Sequence, residues 1–307
     1  MAEFPATMVE FEERFGSEEA CIAYLRAERW PNGFECPKCG GRKSWPVRGG
    51  RHDECAKCGR QVSVTAGTVF HGTRKPLKVW FRAIAMMLVS KQGCSAKELE
   101  RLFGLAYRTA WTWGHKLRSL MEPSGGKLWG RVEVDESYLG GEDDAAHKGR
   151  SLAGKKSCVV AAVEVKGGHL GRARLETVMN ATAPSLVGFV EHNVEKGSQL
   201  HTDGLASYNG LPKKGYVHDR EVVGSPKNAS KKFPRVHRLF SLLRRVLLTT
   251  YQGAVSDQHL PWYLDEFIFR FNRRSSRNRF GLVRTLLARA FTPAFTYRQL
   301  VGKALAA

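Results

Sequence analysis

Residues 131–141 read RVEVDESYLGG, and residues 158–165 read CVVAAVEV. In the first stretch, Val132 and Val134 alternate with polar neighbours, which predicts a strand with one buried face. The second stretch is apolar almost throughout, as expected of a strand that is buried on both faces. The two stretches therefore predict two strands, the second of them fully buried in a sheet.

The flanking sequence adds further strands and helices to this sheet. Residues 172–178 alternate, and residues 198–202 are predicted to form a short strand that ends at Asp203. Residues 184–195 and the chain beyond Arg235 have helical patterns. This half of the chain is therefore predicted to be an α/β domain.

The segment before the sheet is predicted to be helical. Residues 77–90 are strongly apolar, and Ser95 with Glu98 forms a capping box that opens a short helix. After Gly104, a second helix has one apolar face and resembles the recognition helix of a helix-turn-helix. That helix would present polar residues to a major groove, namely Arg108, Thr109, Thr112 and Lys116. The alternative is a helical pair that serves only packing.

Two cysteine pairs near the N-terminus have the spacing of zinc ligands. Cys36-Pro-Lys-Cys39 and Cys55-Ala-Lys-Cys58 are separated by 15 residues. Four thiolates complete a tetrahedral zinc shell, so the site is predicted to be structural. Such a ribbon binds DNA, RNA or protein in different contexts, and the spacing alone does not choose among them.

The charge of the chain points to a polyanionic partner. Lys and Arg total 49 against 29 Asp and Glu, a net charge of +20. No acidic residue occurs between Gly224 and Ser256, or after Glu266. We therefore expect a surface that contacts phosphate, with nucleic acid as the first candidate and an anionic membrane surface as the second.

Several classes of protein are disfavoured by the composition. No run of 18 apolar residues is present, so no membrane-spanning helix is predicted. The acidic N-terminal stretch lacks an apolar signal core, and the seven cysteines do not suggest a disulfide framework. The expected location is a reducing compartment, the cytoplasm.

Two aspartates are candidate ligands of a catalytic metal. Asp135 and Asp203 each stand at the predicted end of a strand, with glycine close behind. Carboxylates on adjacent strand ends can bind a pair of Mg²⁺ ions for phosphodiester chemistry. Aspartate is equally common in ordinary turns, so local sequence alone does not decide the matter.

An ordered set of motifs resembles the zinc-ribbon insertion-sequence transposases with a ribonuclease H-like DDE catalytic domain. The motifs extend over nearly the whole chain and occur in the family's order. They are the first cysteine pair, GTVFHGTRKPLKVWF (67–81), VDESYLGG (134–141), HTDGLASYNGL (201–211), RVHRLFSLLRR (235–245) and YLDEFIFRFNRR (263–274).

The resemblance implies a catalytic set. It places the first acid on Asp135 and the second on Asp203, 68 residues later. The third position, commonly Glu, is His237 here, and the basic residue two turns further along the helix is Arg244. Glu136 and Glu266 are the competing third ligands, although Glu136 is expected on the opposite face of its strand. An imidazole ligand in place of a carboxylate predicts weaker metal binding, with Mn²⁺ favoured over Mg²⁺.

The resemblance also implies an architecture: an α+β multidomain chain whose catalytic domain has a mixed sheet. The predicted parts are an N-terminal helix (1–30), a zinc ribbon (31–70), a helix-turn-helix-like segment (71–124), a ribonuclease H-like domain (125–290) and a C-terminal tail (291–307).

The function implied by the resemblance is DNA transposition. The chain would cleave double-stranded transposon ends with Mg²⁺ or Mn²⁺ and join the 3′-OH to target DNA, as a homodimer or larger synaptic complex. One alternative is a catalytically silent or domesticated DNA-binding regulator. A second is a ribonuclease H-like nuclease or resolvase without strand transfer.

Overall fold

The computed structural model describes residues 3–139, 157–222, 231–292 and 295–302. Gly140 and Gly141 of the first quoted stretch lie outside the described residues, as do the start of the acid-free stretch at 224–230 and parts of the predicted C-terminal tail. Among the described helices, none combines the length and apolar character needed to cross a bilayer.

The chain forms two compact units, Met1–Leu120 with Ser276–Ala307, and Met121–Ser275. The sequence assigned residues up to 290 to the catalytic domain, whereas residues from Ser276 onward group with the N-terminal residues. The reason is a packing contact within the first unit, where Phe280 meets Phe11 with ring centroids 5.3 Å apart. The predicted domain limits stay predictions.

The helices and strands follow in chain order. The helices are α1 (Met8–Phe15), α2 (Glu18–Arg29), α3 (Leu77–Val89), α4 (Ala96–Phe103), α5 (Tyr107–Arg118), α6 (Ala183–Asn193), α7 (Pro234–Thr249), α8 (Leu260–Phe271), α9 (Phe280–Arg289) and α10 (Tyr297–Leu300). The strands are β1 (Ser44–Val47), β2 (His52–Cys55), β3 (Gln61–Ser63), β4 (Arg131–Leu139), β5 (Ser157–Lys166), β6 (His169–Val178), β7 (Gln199–Asp203) and β8 (Val217–Glu221).

The first unit combines a small antiparallel sheet, β1-β2-β3, with a helical core. α4 begins with the predicted capping box, in which the Glu98 N–H donates to Ser95 Oγ at 3.2 Å and the Ser95 N–H donates to Glu98 Oε2 at 2.6 Å. α5 buries Ala110, Trp113 and Leu117, as its apolar face predicts. The two short helices on either side of Gly104 are therefore present.

The second unit is built on a five-stranded sheet in the order β6-β5-β4-β7-β8. β4, β5 and β6 pair antiparallel, whereas β7 pairs parallel with both β4 and β8. The sheet is therefore mixed, which confirms the predicted α+β class and the expected mixed sheet of a ribonuclease H-like domain.

Helices cover both faces of this sheet. On one face, Val132 and Val134 of β4 pack with Leu186 and Val190 of α6. On the other, residues of β5 pack against α7 and α8. Residues 158–163 of β5 are buried without a break, because alternate side chains enter the two cores. The near-continuous apolar run in the sequence is thereby explained.

Glu133 is a buried carboxylate between two core valines of β4, and its side chain is on the α7 side. Its Oε2 accepts the N–H groups of Arg235 and Val236 at 2.8 and 3.0 Å, and its Oε1 lies 3.2 Å from the Arg235 guanidinium. The first N–H groups of a helix have no partner within the helix, and a negative charge there suits the helix dipole. Glu133 therefore fixes the start of α7 on β4.

Asp265 of α8 lies beside a cavity of about 430 Å³ within the second unit. Glu122 and Glu176 line the same cavity. Burial raises the pKa of Asp265 to about 7, and the charges of Glu122 and Glu176 act in the same direction. The folded chain therefore favours a protonated Asp265 at mildly acidic pH.

We predict that Glu133→Gln lowers the free energy of unfolding by about 1–3 kcal/mol, because the amide leaves the Arg235 guanidinium without a buried carboxylate. Urea unfolding checks this, with Glu195→Gln as the control because Glu195 is an exposed glutamate of the same unit. Equal unfolding midpoints for the two variants would contradict the anchoring role.

A second prediction concerns the pH dependence of stability. The pKa of Asp265 is about 7 in the folded chain, above its ordinary value of 3.8. The contribution of Asp265 to the free energy of unfolding is therefore most favourable below pH 3.8 and is lost as the pH rises through about 7. Asp265→Asn should raise the thermal midpoint at pH 8 and leave it nearly unchanged near pH 4. The exposed Asp219→Asn is the control, and a gain that is equal at both pH values would refute the assignment.

Candidate active site and zinc site

The four predicted zinc ligands come together in the first unit. All four thiols lie within 4.8 Å of one another, with Cys36 Sγ 3.7 Å from Cys58 Sγ and Cys39 Sγ 3.6 Å from Cys55 Sγ. A tetrahedral ion with Zn–S bonds of about 2.3 Å separates its sulfurs by about 3.8 Å. The donor set and its spacing therefore fit a structural zinc ion.

Two turns of equal geometry hold the cysteine pairs. The N–H of Gly40 donates to the Cys36 carbonyl and that of Gly59 to the Cys55 carbonyl, both at 2.9 Å. The two glycines have φ of 66° and 67°, in the left-handed region that side chains disfavour. Gly41 completes the site, because a Cβ there would lie 3.1 Å from Cys55 Sγ.

The two predicted catalytic aspartates also meet, although one prediction about them was wrong. β4 does not end at Asp135 but continues to Leu139, because residues 135–139 stay paired with β5. β7 does end at Asp203. The β4–β7 pairing ends at Glu133 and His201, two residues before each aspartate, and one carboxylate oxygen of Asp135 lies within 4.8 Å of one of Asp203.

Glu136 belongs to the same group of carboxylates. One oxygen from each of Asp135, Glu136 and Asp203 lies within 4.8 Å of the others. Alternation along β4 places Glu136 on the α6 side, as expected, yet its carboxylate still reaches this group. The hydroxyl of Tyr208 donates to Glu136 Oε2 at 2.9 Å, and Tyr208 is fully buried in the turn after β7.

Asp203 is held by its own turn. Its Oδ1 accepts the Leu205 N–H at 2.9 Å, an arrangement typical of aspartate at the start of a turn. One oxygen of the carboxylate is thereby oriented by backbone. Carboxylate oxygens are the donors that Mg²⁺ prefers, so this group fits a divalent cation.

His237 and Arg244 approach the same strand from α7. His237 Nε2 lies 3.6 Å from Asp135 Oδ2, and Arg244 Nη2 donates to Ser137 Oγ at 2.6 Å. Burial lowers the pKa of His237 below its ordinary value; the charge of Glu133 opposes this shift, and that of Arg244 adds to it. In the part of the chain that the structure describes, the close carboxylate group does not include His237.

The other competing ligand lies in a different environment. Glu266 accepts the hydroxyl of Tyr251 at 2.9 and 3.0 Å and lies 3.4 Å from Arg270 in the same helix. Glu266 and Arg270 are both buried within α8. This pairing is that of a core carboxylate.

Sequence reasoning missed two residues that organise the site. Glu133 looks like an ordinary polar position of an alternating strand, and no local signal shows that it binds the start of α7. Tyr208 lies within the quoted HTDGLASYNGL motif, but the sequence gives no sign of its hydrogen bond to Glu136.

Comparisons with known proteins agree with this architecture. Residues 16–61 match a family described as "Transposase zinc-ribbon domain", and residues 127–272 match one described as "ISXO2-like transposase domain". A protein of Halobacterium salinarum, described as "Uncharacterized protein in transposable element ISH50", is 24% identical over an alignment of 274 residues that covers 83% of this chain and 91% of that protein.

Two solved structures show a more distant similarity. The catalytic core domain of BIV integrase is 15% identical with a TM-score of 0.29, over 44% of this chain and 80% of that chain. A chain of the simian T-cell lymphotropic virus intasome, solved in complex with PP2A regulatory subunit B56 gamma, is 14% identical with a TM-score of 0.31, over 62% and 70% of the two chains.

The two family matches fall in the order that the motifs predicted, and together they cover more than half of the residues. The ISH50 protein extends the similarity across most of the chain. This chain belongs to the insertion-sequence transposases that combine a zinc ribbon with an ISXO2-like transposase domain.

Proposed function

We propose that this chain is a metal-dependent DNA transposase that cleaves phosphodiester bonds at transposon ends and joins the freed 3′-OH to target DNA. The meeting of Asp135 and Asp203 on adjacent parallel strands supports this most directly. The two residues are 68 positions apart in sequence, and a protein that only binds DNA has no need of their pairing.

Asp135 and Asp203 would hold divalent Mg²⁺ or Mn²⁺, with His237 as the proposed third ligand and Glu136 as its competitor. When bound by these residues, such ions would supply activation of the attacking oxygen and stabilisation of the leaving oxygen of a phosphodiester. His237 is close to Asp135, whereas Glu136 lies within the carboxylate group. His237 and Glu136 are thus alternative third ligands, and variants of the two residues are expected to differ in metal preference.

The remaining side chains orient these groups. Tyr208 restrains the Glu136 carboxylate, and the Leu205 N–H restrains that of Asp203. The Arg244 guanidinium donates to Ser137 of β4, and in the proposed reaction it would bind a non-bridging phosphate oxygen and offset the charge that develops there. Arg244 is therefore proposed to contact the substrate.

Double-stranded DNA is the proposed partner. The net charge of +20 and the acid-free C-terminal sequence suit a phosphate backbone. Because two transposon ends must be brought together, a homodimer or larger synaptic complex is proposed. The proposed site of action is the cytoplasm, at the nucleoid.

We predict that Asp135→Asn lowers the rate of strand cleavage by at least about 100-fold, because removing a metal ligand takes away several kcal/mol of charge stabilisation. The assay uses terminal-repeat DNA with Mg²⁺ or Mn²⁺ and scores cleavage and joining separately. Asp219→Asn, at an exposed position of the same unit, should retain full activity.

The same assay discriminates the alternative functions. Wild-type protein that binds the DNA but neither cleaves nor joins it, with either metal, is a regulator. Cleavage without joining identifies a nuclease or resolvase. Retention of cleavage by Asp135→Asn would remove the carboxylate pair from the reaction.

A further prediction assigns the third ligand. If His237 is that ligand, His237→Ala should reduce cleavage with both metals, and His237→Glu should shift the preference from Mn²⁺ toward Mg²⁺, because a carboxylate suits Mg²⁺ better than an imidazole does. Undiminished activity of His237→Ala together with an inactive Glu136→Gln would assign the position to Glu136 instead.

Zinc in the cysteine group is also open to test. Cys39→Ser should lower the zinc content below one ion per chain and reduce the thermal midpoint, because the closed structural site then has only three thiolate ligands. Cys158→Ala, in β5, should leave the zinc content unchanged. Equal zinc content in the two variants would contradict the assignment.

A further inference from the structure

A cationic cavity of about 400 Å³ lies within the first unit, between residues 71–75 and helix α5. Among the residues that the structure describes, its lining contains histidine, threonine, tryptophan, lysine and arginine, and no acidic residue. The lining residues are His71, Gly72, Thr73, Arg74, Lys75, Trp80, Arg108, Thr109, Thr112, Trp113 and Lys116.

Four of these side chains carry a positive charge that no carboxylate of the described residues offsets in an ion pair. Within the described parts of the chain, Arg74, Lys75, Arg108 and Lys116 take part in no ion pair. Lys116 is half-buried, and this burial lowers its pKa below the ordinary lysine value. A charge that is partly removed from water without a counter-charge is unfavourable, and a bound anion would relieve this cost.

The walls of the cavity are braced before any ligand arrives. Thr73 Oγ1 accepts the indole N–H of Trp80 at 2.9 Å, which joins the 71–75 segment to α3. The Trp80 ring stacks on Trp113 of α5 with centroids 3.6 Å apart. These contacts fix the 71–75 segment relative to α5, so binding would need little rearrangement.

Two further side chains are oriented by their neighbours. His71 Nδ1 accepts the Gly67 N–H at 3.1 Å, so the neutral ring carries its proton on Nε2 and has a donor to offer. The Arg108 guanidinium lies 3.7 Å from the centre of the Tyr297 ring, which restrains it by a cation–π contact. Both groups add hydrogen-bond donors to the cavity, and neither adds a negative charge.

We propose that this cavity binds a phosphate group of the DNA backbone. The inference rests on the proposed DNA function. It gives α5 a contact to the phosphate backbone, whereas the sequence suggested that α5 contacts bases in the major groove. Thr109, Thr112 and Lys116 are half-buried beside the 71–75 segment. Contacts to phosphate set the position of a protein on DNA without reading its sequence.

The first test is the salt dependence of duplex binding. Lys116→Met keeps the aliphatic stem and removes the charge, and Lys91→Met makes the same change at an exposed position of the same unit. The slope of log K against log[salt] should fall by about 0.9 for each phosphate that the protein no longer neutralises. We expect this fall for Lys116→Met alone, with the same fold loss of affinity on terminal-repeat and unrelated duplexes.

The second test is the reactivity of lysines toward an acylating reagent, read by mass spectrometry. Lys75 and Lys116 should be protected by duplex DNA, and Lys91 should not. Inorganic phosphate serves as the separate probe for a free anion. Protection by phosphate but not by DNA would overturn the backbone assignment.

The outcomes separate this inference from the proposed function. If wild-type protein cleaves DNA while Lys116→Met behaves as Lys91→Met in both tests, the cavity assignment is wrong and the transposase proposal stands. A loss of affinity confined to terminal-repeat duplex would also overturn the inference, because it would indicate base reading. If wild-type protein binds no duplex, both proposals fail.

Discussion

Burial of the Glu133 carboxylate sets the position of α7 on the sheet. Because Val132 and Val134 enter the core on the α6 side, the intervening positions of β4 must face α7. Glu133 meets Arg235, Asp135 meets His237 and Ser137 meets Arg244, so strand and helix are aligned over three successive contacts. The first of these contacts is the buried one. A shift of α7 would break the hydrogen bonds from the Arg235 and Val236 N–H groups to the buried Glu133 carboxylate, which water cannot reach. The cost of leaving that charge unpaired keeps α7 in position.

Local spacing predicted the features that arise from local geometry. Each cysteine pair needs only one tight turn, and Asp203 needs only the end of a short strand, so both were visible in the sequence. Asp135 was wrongly placed at a strand end, because pairing with β5 extends β4 beyond it. The approach of His237 to Asp135 joins residues about a hundred positions apart, and no periodicity predicts such a contact; it was anticipated only through the resemblance. Glu136 shows the limit of alternation, since a long side chain beyond the last β4–β7 pairing reaches the group despite its face.

The same limit applies to α5. Its apolar face was predicted correctly, because the residues on the buried side of a helix recur in the sequence with a period of 3.6 residues. Its polar face was expected to be open, yet residues 71–75 lie against it and leave Thr112 and Lys116 half-buried. A segment more than thirty residues earlier determines that outcome through Thr73, Trp80 and Trp113. Helical periodicity contains no information on which segment packs against the polar face of a helix. The cavity between α5 and residues 71–75 therefore became visible only in the structure.

The path of the chain has a consequence for biosynthesis. The polypeptide leaves the first unit after Leu120 and re-enters it at Ser276, whereas the second unit is one uninterrupted segment. The first unit takes α9 into its core, where Phe280 meets Phe11 and the Ala290 carbonyl accepts the Val69 N–H at 2.9 Å. On the ribosome the N-terminus of a chain emerges first. The second unit is therefore complete before the first unit, although synthesis of the first unit began earlier. A messenger truncated just past codon 275 would encode every proposed metal ligand and still lack the helix that closes the first core.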